Sequence, residues 1–144
     1  MQIFNLDSMI KGWFVGDFEP CAWKSKDFEV AVKYYKKGEC EAVHYHKIAH
    51  EITLIVQGRV KMGGVEFSQG QIVLLEPRTS ADFIALTDAI TAVVKVPSAK
   101  NDKFLGECKG ESKGEFKAEF KGKFKAKSKD SPKTAQNPNK KVQK

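Results

Sequence analysis

Between residues 28 and 97 short apolar runs alternate with turn signals, and most runs have the two-residue period of a strand. Residues 28–35 place Phe28, Val30, Val32 and Tyr34 on one face and stop at Lys36-Lys37-Gly38. Residues 42–46 form a short second run, and residues 51–56 a third that ends at Gln57-Gly58. Residues 59–62 and 65–67 flank Gly63-Gly64, a pair that supplies the positive φ of a two-residue hairpin turn. Residues 71–75 are almost continuously apolar and close at Glu76-Pro77, and residues 81–86 and 89–96 complete the series before Pro97. Turn signals spaced about 8–12 residues apart predict an all-β sandwich or barrel, with a mouth where a ligand can sit. No stretch of this body carries a sustained helical period. Residues 1–25, with Trp13, Phe14, Phe18 and Trp23 among Gly12, Gly16 and Pro20, predict one strand plus a loop packed on the barrel or on a second subunit.

Charge separates this body from the C-terminal segment. The 144 residues hold 25 basic and 18 acidic side chains, a net of +7. From Glu107 onward stand 12 Lys against 5 acids, which leaves 13 of each sign in residues 1–106. A body with no net charge is not a basic nucleic-acid-binding domain. The sequence therefore predicts a barrel domain over residues 1–100, with its core at 28–97, and a basic low-complexity tail over 101–144. In the tail a four-residue unit repeats: a charged residue, Phe or Ser, Lys, then usually a small residue. That period slips about 40° per repeat against a helix, and Gly110, Gly114 and Gly122 each cost a helix about 1 kcal/mol. With Pro, Asn and Lys dominating from Ser131, the expectation is a mostly disordered, solvated extension. The competing reading gives its Lys and Phe116, Phe120 and Phe124 weak contact with anionic surfaces, nucleic acid or membrane.

Cys21, Cys40 and Cys108 form no CxxC pair, so a thiolate zinc site or dithiol redox motif is not indicated. Cys40 lies between Glu39 and Glu41, which raise a thiol pKa and disfavour a reactive thiolate. There is no basic-then-apolar leader and no apolar run of about 20 residues, and the expected setting is cytoplasmic. GxSxG, GxxxxGK[ST] and GxGxxG motifs are absent.

One constellation carries chemistry: Gly38, five residues, His44, one residue, His46, four residues, Glu51, six residues, Gly58. On a strand His44 and His46 point the same way and Tyr45 the other. Glu51 opens the next run after a four-residue connection, which can bring its carboxylate beside the pair. Two imidazoles and a carboxylate on one side of an ion leave positions free for water or substrate. That set suits a divalent metal, Fe, Mn, Ni or Zn. Thr53 and Ile55 share the face of Glu51 and are expected to line a ligand pocket, with Tyr34 joining them where its strand faces inward. Arg78 either pairs an anionic ligand group bidentately or is a surface charge. His50, one residue before Glu51, faces away in a regular strand and is expected to lie exposed; where the strand begins at Glu51 it lies in the loop and could approach the mouth.

The spacing Gly38-x5-His44-x-His46-x4-Glu51-x6-Gly58 resembles the first motif of the cupin superfamily without a departure, and the resemblance spans roughly residues 28–97. It implies a small jelly-roll β-barrel in which His44, His46 and Glu51 point inward as metal ligands, a small-molecule ligand in the barrel, and a homodimer. The second motif departs. Six residues, rather than five, separate Gly70 from Pro77, Thr79 occupies the place of a glycine, and Asp82 that of the fourth ligand, a histidine. Asp82 either completes the ligand set or is a charged residue at a strand start. Two functions remain open: a metal-dependent enzyme acting on a small molecule, or a non-catalytic barrel that holds or senses a small ligand.

Overall fold

The computed structural model describes residues 1–107, all within one compact unit. The tail beyond them, with Cys108 and the expected disorder and anionic contacts, lies outside the described residues. After two 3-10 turns at Leu6–Ser8 and Ile10–Gly12, every element is a strand: β1 Trp13–Gly16, β2 Trp23–Lys24, β3 Glu29–Tyr35, β4 Cys40–His46, β5 His50–Gln57, β6 Arg59–Met62, β7 Val65–Ser68, β8 Ile72–Leu75, β9 Ala81–Ala85, β10 Ala89–Val96 and β11 Lys103–Leu105. The all-β expectation holds. No helix among the described residues is long and apolar enough to cross a membrane.

Two sheets form. One runs β2-β1-β3-β10-β5-β8 and the other β11-β4-β9-β6-β7. Neighbours in chain order repeatedly fall in opposite sheets, as a jelly roll requires. The two N-terminal strands join the first sheet, where the sequence predicted one strand and a loop. Gly63 and Gly64 make the β6–β7 turn with φ of +55° and +83°.

Cross-strand register decides which side chains face the interior. In the six-stranded sheet, Ala31, Val93, Thr53 and Val73 pair across β3, β10, β5 and β8, and all are buried. One step along, Lys33, Thr91 and Ile55 form a second inward row. At the other end Glu29, Lys95, Glu51 and Leu75 form a third. The inward face is thus mostly apolar in its middle row, with Glu29, Lys95 and Glu51 at one end and Lys33 at the other. From the facing sheet Val60, Met62, Phe83 and Ala85 close on Ile55, Val73 and Ala89 to make the core.

Lys103–Leu105 lies beyond the boundary that composition suggested at residue 100. It pairs antiparallel with β4, setting Lys103 opposite His46 and Leu105 opposite His44.

Candidate functional site

β4 and β5 present the cluster from facing sheets, joined by a short turn at Lys47–Ala49. Alternation on β4 sends both imidazoles inward, with ring centroids 5.7 Å apart and planes at 85°. Glu51, second in β5, belongs to the charged inward row. One ligand atom from each of His44, His46 and Glu51 lies within 4.8 Å of the others.

Hydrogen bonds fix which nitrogens are offered. His44 Nδ1 is 2.9 Å from the Ala42 carbonyl and His46 Nδ1 is 2.8 Å from the Asp102 carbonyl. A carbonyl only accepts, so both Nδ1 atoms donate and both Nε2 atoms face the cluster. His46 Nε2 lies 3.1 Å from Glu51 Oε2, a second acceptor. A neutral imidazole has one N–H and cannot serve two acceptors. With Nδ1 donating to a carbonyl, Nε2 and the Glu51 oxygen are two facing electron-pair donors, an arrangement that a cation would bridge. Two oriented nitrogens and a carboxylate oxygen are a donor set that fits a divalent metal.

Burial holds the His44 pKa below its ordinary value, which favours the neutral ring. Burial pushes Glu51 upward, but the hydrogen bond from His46 and the charges of His46, His44 and Lys33 outweigh it, so the carboxyl sits below its ordinary value.

Asp102 organises this corner from outside the two strands. Its buried carboxylate accepts the backbone N–H groups of Lys47, Ile48 and Ala49 at 2.9–3.1 Å, covering the whole β4–β5 turn. The same residue supplies the carbonyl that receives His46.

A second polar cluster shares the cavity. Glu41 Oε1 accepts from Tyr35 Oη at 2.7 Å and from Lys33 Nζ at 2.9 Å, and Oε2 accepts from Lys103 at 3.3 Å. Burial opposes ionisation of Glu41, yet Lys33, Tyr35 and Lys103 together bring its pKa down to about 2. Burial and the hydrogen bond to Glu41 push the Tyr35 phenol up, so it stays protonated. Lys33 and Lys95 lie over the Trp13 ring, 5.5 and 4.6 Å from its centroid. Both clusters open on one cavity of about 810 Å³, within the usual range for small-molecule sites.

The structure sorts the expected residues. His44, His46, Glu51 and Thr53 line this cavity together. Asp82 also lies on its wall but outside the three-residue cluster, and its Oδ1 accepts the Gly63 N–H at 2.9 Å. Tyr34 borders the cavity yet is 68% exposed, and its neighbour Tyr35 is the one that reaches inward, its ring centroid 4.3 Å from that of Phe83 with the planes tilted by 34°. Ile55 shares the face of Glu51 but sits deeper, fully buried in the core rather than on the cavity wall. Arg78 is not among the cavity-lining residues. Its backbone N–H donates to the His46 carbonyl and its φ is +69°. His50 is exposed, as expected.

Sequence reading missed Lys33, Tyr35, Glu41 and Asp102. Glu41 has the wrong parity for the His44 face. The register slips between Glu41 and His44, where Glu41 pairs with Phe83 and His44 with Ala81, and that irregularity turns Glu41 inward. No periodic signal marks it.

Compared as a sequence, the chain matches no protein-family model and no curated protein. Compared as a structure, it is similar to a dimethylsulfoniopropionate (DMSP) lyase, DddQ from Ruegeria pomeroyi, at a TM-score of 0.55 and 19% identity over 67% of this chain and 51% of that one. It is also similar to an uncharacterized conserved protein with a double-stranded β-helix domain from Klebsiella pneumoniae, at a TM-score of 0.53 and 20% identity over 58% of this chain and 73% of that one. Identities this low speak to fold alone. Two facing sheets, their strand order and these matches together give the chain a double-stranded β-helix fold.

Proposed function

We propose that this domain binds a divalent metal through His44, His46 and Glu51 and acts on a small molecule held in the cavity beside them. The observation that carries the reading is the approach of three ligand atoms to within 4.8 Å on the cavity wall. When bound, such an ion supplies Lewis-acid or redox chemistry to a ligand in its open positions. The chain's own residues do the rest. Asp102 and Ala42 hold the two imidazoles in the Nδ1–H form through their carbonyls. Tyr35 keeps its phenolic proton on the Glu41 side of the cavity and can lend its oxygen as an acceptor to a polar ligand. Lys33 and Lys103 hold Glu41 ionised, and Thr53 and Phe83 give the cavity a partly apolar wall. Cys21 and Cys40 are free thiols, which suits the cytoplasmic setting proposed with this function.

Elemental analysis of the purified full chain is the test. About one Fe, Mn, Ni or Zn per chain is expected, and its loss in His46→Ala. A wild-type chain that arrives metal-free and takes up none of these ions removes the metal reading. The second reading, a barrel that holds or senses a ligand without catalysis, draws on Asp82. That position offers no fourth imidazole, and its carboxylate is already engaged with Gly63.

A further inference from the structure

The chain reaches the cavity before it enters the sheet. β1 begins at Trp13, yet Leu6, Asp7, Met9, Lys11 and Gly12 already stand on the cavity wall beside it. Side chains three residues apart eclipse on a 3-10 turn, so Leu6 and Met9 share one face of the turn at Leu6–Ser8. Within residues 1–11 these two are half-buried and all the others are exposed, Ile3, Phe4 and Ile10 among them. The segment thus lays one apolar edge on the cavity and turns the rest to solvent.

Its attachment is light. Among the described residues its hydrogen bonds run within the segment, from the Ser8 N–H and Oγ to the Asn5 carbonyl and from the Met9 N–H to the Leu6 carbonyl. Neither 3-10 turn contributes a buried residue. Lys11 and Gly12 then take left-handed backbone in succession, at φ of +52° and +78°. Gly12 lies flat on the barrel, where a Cβ would overlap the Val32 carbonyl oxygen, so Gly12 is the fixed side of the joint. Lys11 is the other side, and it occupies a region that side-chain-bearing residues enter only at a cost.

We propose that residues 1–11 are a lid on the cavity that holds His44, His46 and Glu51: Leu6 and Met9 close it, and rotation at Lys11 opens it to an entering ligand. The proposal rests on reading that cavity as the ligand site. Covering Leu6 and Met9 favours closure, while return of Lys11 to an ordinary negative φ favours opening. Two opposed terms at one joint suit a segment that both opens and closes, because a hinge is a few loop residues that absorb a change in φ and ψ. Closed, such a lid keeps water from a bound ligand.

Acrylamide quenching of Trp13 fluorescence in the full chain tests this, on a Trp23→Phe background that leaves Trp13 as the single tryptophan. Deletion of residues 2–9, or Leu6→Ser together with Met9→Ser, is expected to raise the quenching constant about twofold. Thermal unfolding followed by circular dichroism should match the wild type, which separates an open lid from a lost fold. Lys11→Pro, whose ring bars positive φ, should raise quenching as far, and Lys11→Gly, free to take that φ, should quench no more than the wild type. Loaded with Zn²⁺, the deletion and the double variant should release it to EDTA about tenfold faster, as for a lid open about a tenth of the time. Equal quenching in the wild type and both lid variants overturns the proposal. A Lys11→Pro chain that quenches like the wild type overturns it too, since the joint then lies elsewhere, and so does raised quenching with unaltered release of bound Zn²⁺. Quenching needs no metal: a chain that takes up no Zn²⁺ yet shows these changes keeps the lid and loses the metal reading.

Discussion

His46 and Asp102 are 56 residues apart, yet Asp102 holds His46 twice: its carbonyl accepts the imidazole Nδ1–H at 2.8 Å, and its carboxylate ties down the turn after His46. The second hold makes Asp102 testable by mutation. Asp102→Ala leaves the carbonyl in place but frees the N–H groups of Lys47, Ile48 and Ala49. A stability loss of about 2–4 kcal/mol is expected in urea denaturation, with metal affinity weaker by about tenfold as the imidazole loses its fixed position. Metal affinity equal to wild type in a folded Asp102→Ala chain would show that the turn does not position His46.

Asp82 separates a three-residue site from a four-residue one. With its Oδ1 on the Gly63 N–H, Asp82→Ala should cost about 1 kcal/mol of stability while metal stoichiometry stays that of the wild type. Loss of the metal in this variant alone would make Asp82 a ligand.

Glu41 predicts a pH dependence. Its folded pKa, about 2, lies below the ordinary 4.5. The stabilisation it gives is therefore fully present above pH 4.5 and lost as pH falls toward 2. Glu41→Gln should destabilise the chain by about 1–3 kcal/mol at neutral pH, since Lys33 loses a half-buried partner. The variant should also show a flatter decline in stability between pH 4.5 and pH 2. Parallel declines for wild type and variant, followed by urea midpoints, would refute the assignment.

The two glycines that bracket the cluster should respond differently to alanine. Gly38 has φ of +90°, and a Cβ placed there would meet nothing within 4 Å, so Gly38→Ala bears only the backbone cost of about 1–2 kcal/mol. At Gly58, with φ of +84°, a Cβ would lie 2.2 Å from the Asp88 carbonyl oxygen. Gly58→Ala adds a clash with backbone to the same strain, and its melting temperature should fall further than that of Gly38→Ala. Equal shifts would mean that the 87–89 turn yields freely.

Why some of this was legible in the sequence is a matter of local geometry. His44, His46 and Glu51 obey strand alternation and a short connection, so their convergence follows from spacing. Tyr34 and Tyr35 show where spacing fails. Residues 28–35 have their apolar parity at Val30, Val32 and Tyr34, which reads as the buried side, but that parity faces outward here and Lys33 and Tyr35 face the cavity. Apolar parity alone does not say which side of a strand meets the core. Asp102 was hidden by composition. It stands where the chain turns lysine-rich, and only the pairing of Lys103–Leu105 with β4 brings it to the site.

That pairing has a mechanical consequence. β11 is the edge strand of its sheet, and its last bonds, Gly106 to the Val43 carbonyl and Leu105 opposite His44, are the first to meet a force applied beyond residue 107. Antiparallel edge bonds pulled from one end open in sequence rather than together. A single-molecule pull between the N-terminus and residue 107 should therefore begin with a lengthening of about 14 Å as residues 103–106 peel away, before the sheets separate. Tension from that side is felt at His44 first and His46 second, so the ligand-bearing strand would act as a strain gauge for whatever is attached behind it.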